Sequence, residues 1–102
     1  MNLKTGGIYT TQDGFEIIII DEYRAFYAVA ILENECRNIQ DILIKLSVEM
    51  KNNHIFGLID KTNTAIFTAI DGYIGDINES LLKQLRQRVT EQIWYQKRRN
   101  NL

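Results

Sequence analysis

Cationic side chains gather at one end of this chain. Lys83, Arg86, Arg88, Lys97, Arg98 and Arg99 fall within residues 81–102, where Glu91 is the sole acid, a formal charge of +5. Residues 1–80 hold six Lys/Arg against twelve Asp/Glu, a formal −6, so the net charge of −1 hides a polarised molecule. Two readings of the basic end stand side by side. Cations in the last turns of a helix complement its dipole, each contributing about 0.3–1 kcal/mol. Cations crowded into one short segment also meet phosphate or an acidic protein, while an acidic body discourages indiscriminate binding. Arg86, Lys97, Arg98 and Arg99 are the candidate nucleic-acid contacts. Trp94 and Tyr95 offer rings on which a base could stack, although rings at such places more often cover a core edge or a partner interface.

Other chemistry is poorly supplied. The single Cys36 and single His54 fall short of a tetrahedral zinc set, and the acids are scattered rather than clustered in a loop, so no metal and no cofactor is expected. Cys36 and His54 would make a nucleophile pair only if the fold joined them. Ser47 and Ser80 are the only serines, and neither sits in a strand-turn-helix elbow. Gly6-Gly7 lacks the spacing of a phosphate cradle. One cysteine permits no internal disulfide, and Lys4 is followed by no apolar stretch of signal-peptide length, so a cytoplasmic location is expected. The longest apolar runs, Ile17–Ile20 and Ala25–Leu32, fall short of the roughly 20 residues of a membrane span.

The elements that must carry these residues fit one domain spanning 1–102. Gly6-Gly7 precede a strand at 8–11, Asp13-Gly14 marks a hairpin, and Phe15–Ile20 follows as a strand. Its four consecutive isoleucines predict burial on both faces. Phe26–Leu32 completes a meander. Residues 33–41 read as a loop with a short helical turn over 38–42. The stretch to 51 fits two periods: Ile39, Ile42, Leu43, Leu46 and Met50 suit a helical face, whereas Ile44 to Lys51 alternates as a half-buried strand does. The strand, over 43–51, is the reading adopted, with a helix as its alternative. Strands at 55–59 and 65–70 bring the count to six. Asn78 is a suitable N-cap, and Leu82, Leu85, Val89 and Ile93 give an amphipathic helix over 79–97. Six short strands and a C-terminal helix describe a mainly β fold, a small bent barrel of SH3-like type.

The order of these pieces resembles the MazF/PemK family of toxin–antitoxin ribonucleases. Gly7-Ile8-Tyr9, the Ile17–Ile20 run, the Tyr27–Leu32 strand and above all Tyr73-Ile74-Gly75-Asp76-Ile77-Asn78-Glu79-Ser80-Leu81-Leu82 carry the resemblance. It implies an SH3-like barrel, a homodimer, single-stranded RNA along a dimer groove, and an acidic antitoxin peptide that occupies that groove. The family usually has Arg-Pro where this chain has Phe15-Glu16, and a Thr or Ser where it has Glu33-Asn34. Both catalytic positions of the family are therefore replaced, and a glutamate there repels phosphate. Arg24 is the one cation near that end of the meander and the candidate substitute, provided its turn folds back. Endoribonuclease activity is thus expected to be altered or absent. The competing reading is a non-enzymatic phage or mobile-element barrel that binds and inhibits a host protein, its acidic surface imitating nucleic acid.

Overall fold

A computed structural model of the chain describes residues 2–32, 39–49 and 55–100; for 39, 47–49 and 92–100 the backbone course alone is described. The first three strands form the expected meander: β1 (Gly7–Thr11), β2 (Glu16–Glu22) and β3 (Phe26–Leu32), all antiparallel. The β1–β2 turn closes through Thr11 N–H to the Phe15 carbonyl at 2.9 Å and Phe15 N–H to Thr11 Oγ1 at 3.0 Å. Gly14 takes φ of 86° there, a value that costs a residue with a Cβ and costs glycine little. The isoleucine run is buried on both sides. Ile18 and Ile20 join Ile8, Ala28, Ala30 and Leu32 on one face, and Ile17 and Ile19 join Leu3, Tyr27, Val29 and Ile59 on the other.

Two expected strands are helices. The strand expected over 43–51 is replaced through residue 49 by a helix, α1 (Ile39–Glu49); residues 50 and 51 lie outside the described ones. Ile42 and Leu46, one helical turn apart, are buried against the first face, whereas Ile44 is 60% exposed. A strand would have put Ile44 and Leu46 on the same side, so the burial follows the helical period. After β4 (Phe56–Asp60), the expected strand at 65–70 is replaced by α2 (Thr64–Ala69), whose first turn is capped by Asn63 Oδ1 accepting from Ile66 N–H at 3.3 Å. Ile66 and Phe67 pack on the second face. That packing outweighs the β preference of a Thr/Ile/Phe run. The last strand, β5 (Ile70–Asp76), instead takes in the Tyr73-Ile74-Gly75-Asp76 phrase, where no strand is expected from the sequence.

The result is one five-stranded antiparallel sheet, order β4-β3-β2-β1-β5, rather than six strands. The two outer strands, β4 and β5, are not paired with each other, so the sheet is open. The helix α3 (Glu79–Asn100) covers the first face together with α1, burying Leu82, Leu85 and Val89. It begins as expected: Asn78 Oδ1 accepts from Leu81 N–H at 2.8 Å. Its expected end at 97 is extended to 100. The side chain of Ile93, expected on the same apolar stripe, lies outside the described ones. No helix among the described residues is long and apolar enough to cross a membrane.

Candidate functional site

The segment that carries the resemblance builds a polar cluster at the β1–β5 edge. Asp76 closes β5 and receives two short contacts, from Lys4 Nζ to Oδ2 at 2.7 Å and from Tyr73 OH to Oδ1 at 2.7 Å. Tyr9 accepts from the Lys4 backbone N–H through its hydroxyl at 2.9 Å, and its ring lies 5.5 Å from that of Tyr73. Gly7 makes this crowding feasible. A Cβ there would stand 2.9 Å from the Lys4 carbonyl and 2.9 Å from the Tyr9 ring. The cluster is held to the sheet by Gly6, whose N–H donates to the Ile19 carbonyl at 2.7 Å and whose carbonyl accepts from Ile77 N–H at 3.0 Å.

The charges in this cluster hold each other. Hydrogen bonding to Asp76 raises the Lys4 ammonium above its ordinary value, and the same bond, followed by that from Tyr73, lowers the Asp76 carboxyl. The hydrogen bond to Asp76 raises the Tyr73 phenol. All three shifts drive titration away from neutrality. The trio is a fixed ammonium, carboxylate and phenol, suited to structure and recognition and unsuited to a general base working near neutral pH.

Glu16 is a different case. It opens β2 opposite Leu32 and is only 4% exposed, the one buried charged residue among those described. Its Oε2 has no hydrogen-bond partner. Burial raises its pKa, opposed by the positive charge of Lys45 on α1. The carboxylate therefore looks into the layer between sheet and α1. Arg24, the candidate substitute cation, is exposed in the tight β2–β3 turn that Tyr23 N–H closes on the Phe26 carbonyl at 2.8 Å. It stands at the far end of β2 from Glu16, about 25 Å along an extended strand. The turn does not fold back, and the two residues are not brought together. Glu33-Asn34, Cys36 and His54 lie outside the described residues.

The basic candidates also part company. The Arg86 Nε donates to the Ile20 carbonyl at 3.3 Å, and its side chain is half-buried between α3 and β2. Lys83 is exposed, and Arg88 is half-buried. Lys97, Arg98 and Arg99 follow one another in the last turn of α3. They are about 17–20 Å from Arg86 along the helix axis. The terminal three are consecutive, and Arg86 stands apart from them, tied to β2 by its bond to the Ile20 carbonyl. The side chains of these three, and of Trp94 and Tyr95, lie outside the described ones.

One concavity had no counterpart in the sequence reading. A shallow cleft of about 450 Å³ on the second face is lined by Asn2, Tyr27, Lys61, Thr64, Phe67 and Thr68. Lys61 lies 5.0 Å over the Tyr27 ring and pairs with Glu22 at 2.7 Å. Its residues come from the N-terminal arm, β3, the β4–α2 turn and α2, and the adjacency of these segments has no local signal. Among the described residues, no group of three or more His, Cys, Asp or Glu is placed to hold a metal ion. No family model, curated protein or solved structure matches this chain.

Proposed function

We propose that this chain is a MazF/PemK-like toxin–antitoxin protein that binds single-stranded RNA without ordinary cleavage. The fold underlying this reading is an SH3-like barrel, supported by the reach of the β4–β5 crossover. In a flat sheet the two edges would stand about 19 Å apart, and the path from Asp60 to Ile70 also runs from one end of the strands to the other. Residues 61–69 offer about 9 Å of helix, and 61–63, folded into a turn by Asn63 N–H donating to the Asp60 carbonyl, add less than the about 10 Å of an extended segment. A curled sheet, with α2 on its inner side, shortens that path. Metal-independent cleavage needs a base for the ribose 2′-hydroxyl and a cation for the charge developing on phosphate. Phe15 replaces the arginine of the family's Arg-Pro pair, Glu16 in place of its proline is buried, and Arg24 lies at the opposite end of β2.

The observation that carries the RNA reading is the run Lys97-Arg98-Arg99 closing a helix on an otherwise acidic body. The reading brings with it a homodimer and an acidic antitoxin peptide as partners. It is tested by anisotropy with labelled single-stranded RNA at several salt concentrations, alongside induced expression with growth and total RNA followed together. Three phosphate contacts give a slope of log K against log salt near −2. Reversing Lys97, Arg98 and Arg99 to Glu abolishes both binding and slope. Unchanged affinity in that variant removes the tail from the reading. Discrete RNA fragments on induction replace the non-cleaving reading with a nuclease. Absence of RNA binding in the parent chain moves the assignment to a non-enzymatic protein-binding barrel.

A further inference from the structure

The two edges of the sheet are built differently. On β5 the ladder to β1 breaks register twice, between Ile8 and Tyr9 and between Thr10 and Thr11, and the strand carries Asp71 and Asp76. Bulges and charges of this kind are what natural sheets use to blunt an edge against further pairing. On β4 the ladder to β3 runs through five consecutive partners, Phe26↔Asp60 to Ala30↔Phe56, without a shift. Ile55–Ile59 contains no charge, and the chain contains no proline. Leu58 is 52% exposed at the centre of this strand.

The phase of the ladder shows which backbone groups are free. Lys61 N–H donates to the Ala25 carbonyl at 2.9 Å, so Lys61, Ile59 and Gly57 turn their N–H and C=O toward β3. Consistently, the Phe26 carbonyl opposite Asp60 is turned the other way, to Tyr23 N–H. Phe56, Leu58 and Asp60 therefore point theirs outward, and no described segment pairs there. The Asp60 carbonyl is taken by Asn63 N–H at 3.0 Å, and its carboxylate by Thr62 at 2.7 Å and 2.8 Å.

We propose that β4 is a self-association edge, pairing antiparallel with β4 of a second copy about a two-fold axis at Leu58. The outward residues are symmetric about that position, which is what an isologous contact requires. Leu58 would exchange both of its bonds with Leu58 of the second copy, and each Asp60 N–H would reach the opposite Phe56 carbonyl, four ladder bonds in all. The Leu58 side chains meet at the axis. Gly57 faces Ile59 of the second copy, and its missing side chain leaves the room that Ile59 needs. Ile31, which would lie 3.8 Å from a Cβ on Gly57, flanks the same seam on that face. Asp60 Oδ1 is held by Thr62, and the side chain is exposed, so its carboxylate stays with solvent at the end of the seam.

The test is sedimentation of the full chain from about 1 µM to about 1 mM, a range that spans weak to ordinary interfaces. The parent chain is expected to dimerise within it. Leu58→Lys removes an apolar contact from both copies and sets like charges opposite each other, so self-association weakens at least about tenfold. Leu58 is half exposed, so the far-ultraviolet dichroism is expected to be retained. In a Cys36→Ser background, Leu58→Cys places two sulfurs on residues whose Cα atoms are about 5.5 Å apart, within disulfide reach. Oxidation then traps a covalent dimer. A parent chain that stays monomeric throughout overturns the proposal and leaves the edge to an extended strand of another protein. A dimer that Leu58→Lys does not weaken and Leu58→Cys does not trap overturns it as well. Lys97, Arg98 and Arg99 are untouched in these variants, so RNA binding is scored separately.

Discussion

Glu16→Gln is expected to stabilise the protein, and to do so only where the carboxyl would be ionised. Glu16 is 4% exposed with Oε2 unpartnered, so the fold holds a carboxylate that has given up water without full replacement. Leaving a buried polar group unsatisfied costs about 1–3 kcal/mol, and more when it is charged. Glutamine keeps the shape and removes the charge; its amide still carries the cost of a buried neutral polar group, so what is recovered is the additional cost of the charge. Against this stands the attraction to Lys45, whose side chain is half-buried and for which about 1 kcal/mol is a fair ceiling. The balance is a gain of about 1–2 kcal/mol at pH 8, or about 5–10 °C in Tm for a chain of this size.

The pH dependence gives the sharper check. Burial raises the folded-state pKa of Glu16 above its unfolded value near 4.3. A raised folded pKa means the native state holds this proton more tightly. The contribution of Glu16 is therefore fully present below the unfolded value and lost as pH rises through the folded one. The parent chain and the Gln variant should be close in stability near pH 4 and diverge as pH rises. Urea unfolding of both proteins across that range isolates the effect, because every other carboxylate is common to the pair. A variant less stable than the parent at pH 8, or a difference that does not change with pH, would refute the argument that the charge is uncompensated.

Two further outcomes follow from the packing and the edge cluster. Leu85 is fully buried under α3, so Leu85→Ala should cost about 2–5 kcal/mol, read as a lower urea midpoint with an unchanged slope. Asp76→Asn replaces the charged acceptor that raises the Tyr73 phenol with a weaker, neutral one, so the tyrosinate titration followed by ultraviolet absorbance should move toward lower pH, and an unmoved curve would break the Tyr73–Asp76 assignment.

The meander was legible because its signals are local. Asp13-Gly14 supplies the turn, and four consecutive isoleucines leave no polar face to expose. That same logic reaches one residue further than it was taken. A strand buried on both faces buries its opening residue too, so Glu16 at the start of β2 could have been expected inside rather than on a substrate-facing surface. The helix α3 was legible for a related reason: its cap, its apolar stripe and its basic end lie in one continuous segment. α1 was not legible, because Ile44 to Lys51 fits two periods equally and only the sheet decides which of Ile44 and Leu46 is covered. α2 was not legible either. Residues 65–70 have strand-forming side chains, yet the chain must cross from one edge of the sheet to the other there, and a helix puts Ile66 and Phe67 on the second face as it crosses.

The candidate site divides along the same line. The Tyr73-Ile74-Gly75-Asp76 phrase was visible, but its meaning depends on Lys4, which is 72 residues away in sequence and adjacent in space. No spacing rule links them. The charge polarity was visible as a count, and a count cannot separate cations by role. Arg86 sits among the basic residues of α3 and donates to the Ile20 carbonyl, so it fastens the helix to β2 and is drawn away from any terminal phosphate contact. Of the four candidates, the proposed reading therefore rests on the three cations of the last turn. Reducing four candidates to three lowers the expected salt slope by about a quarter, a difference the titration can resolve.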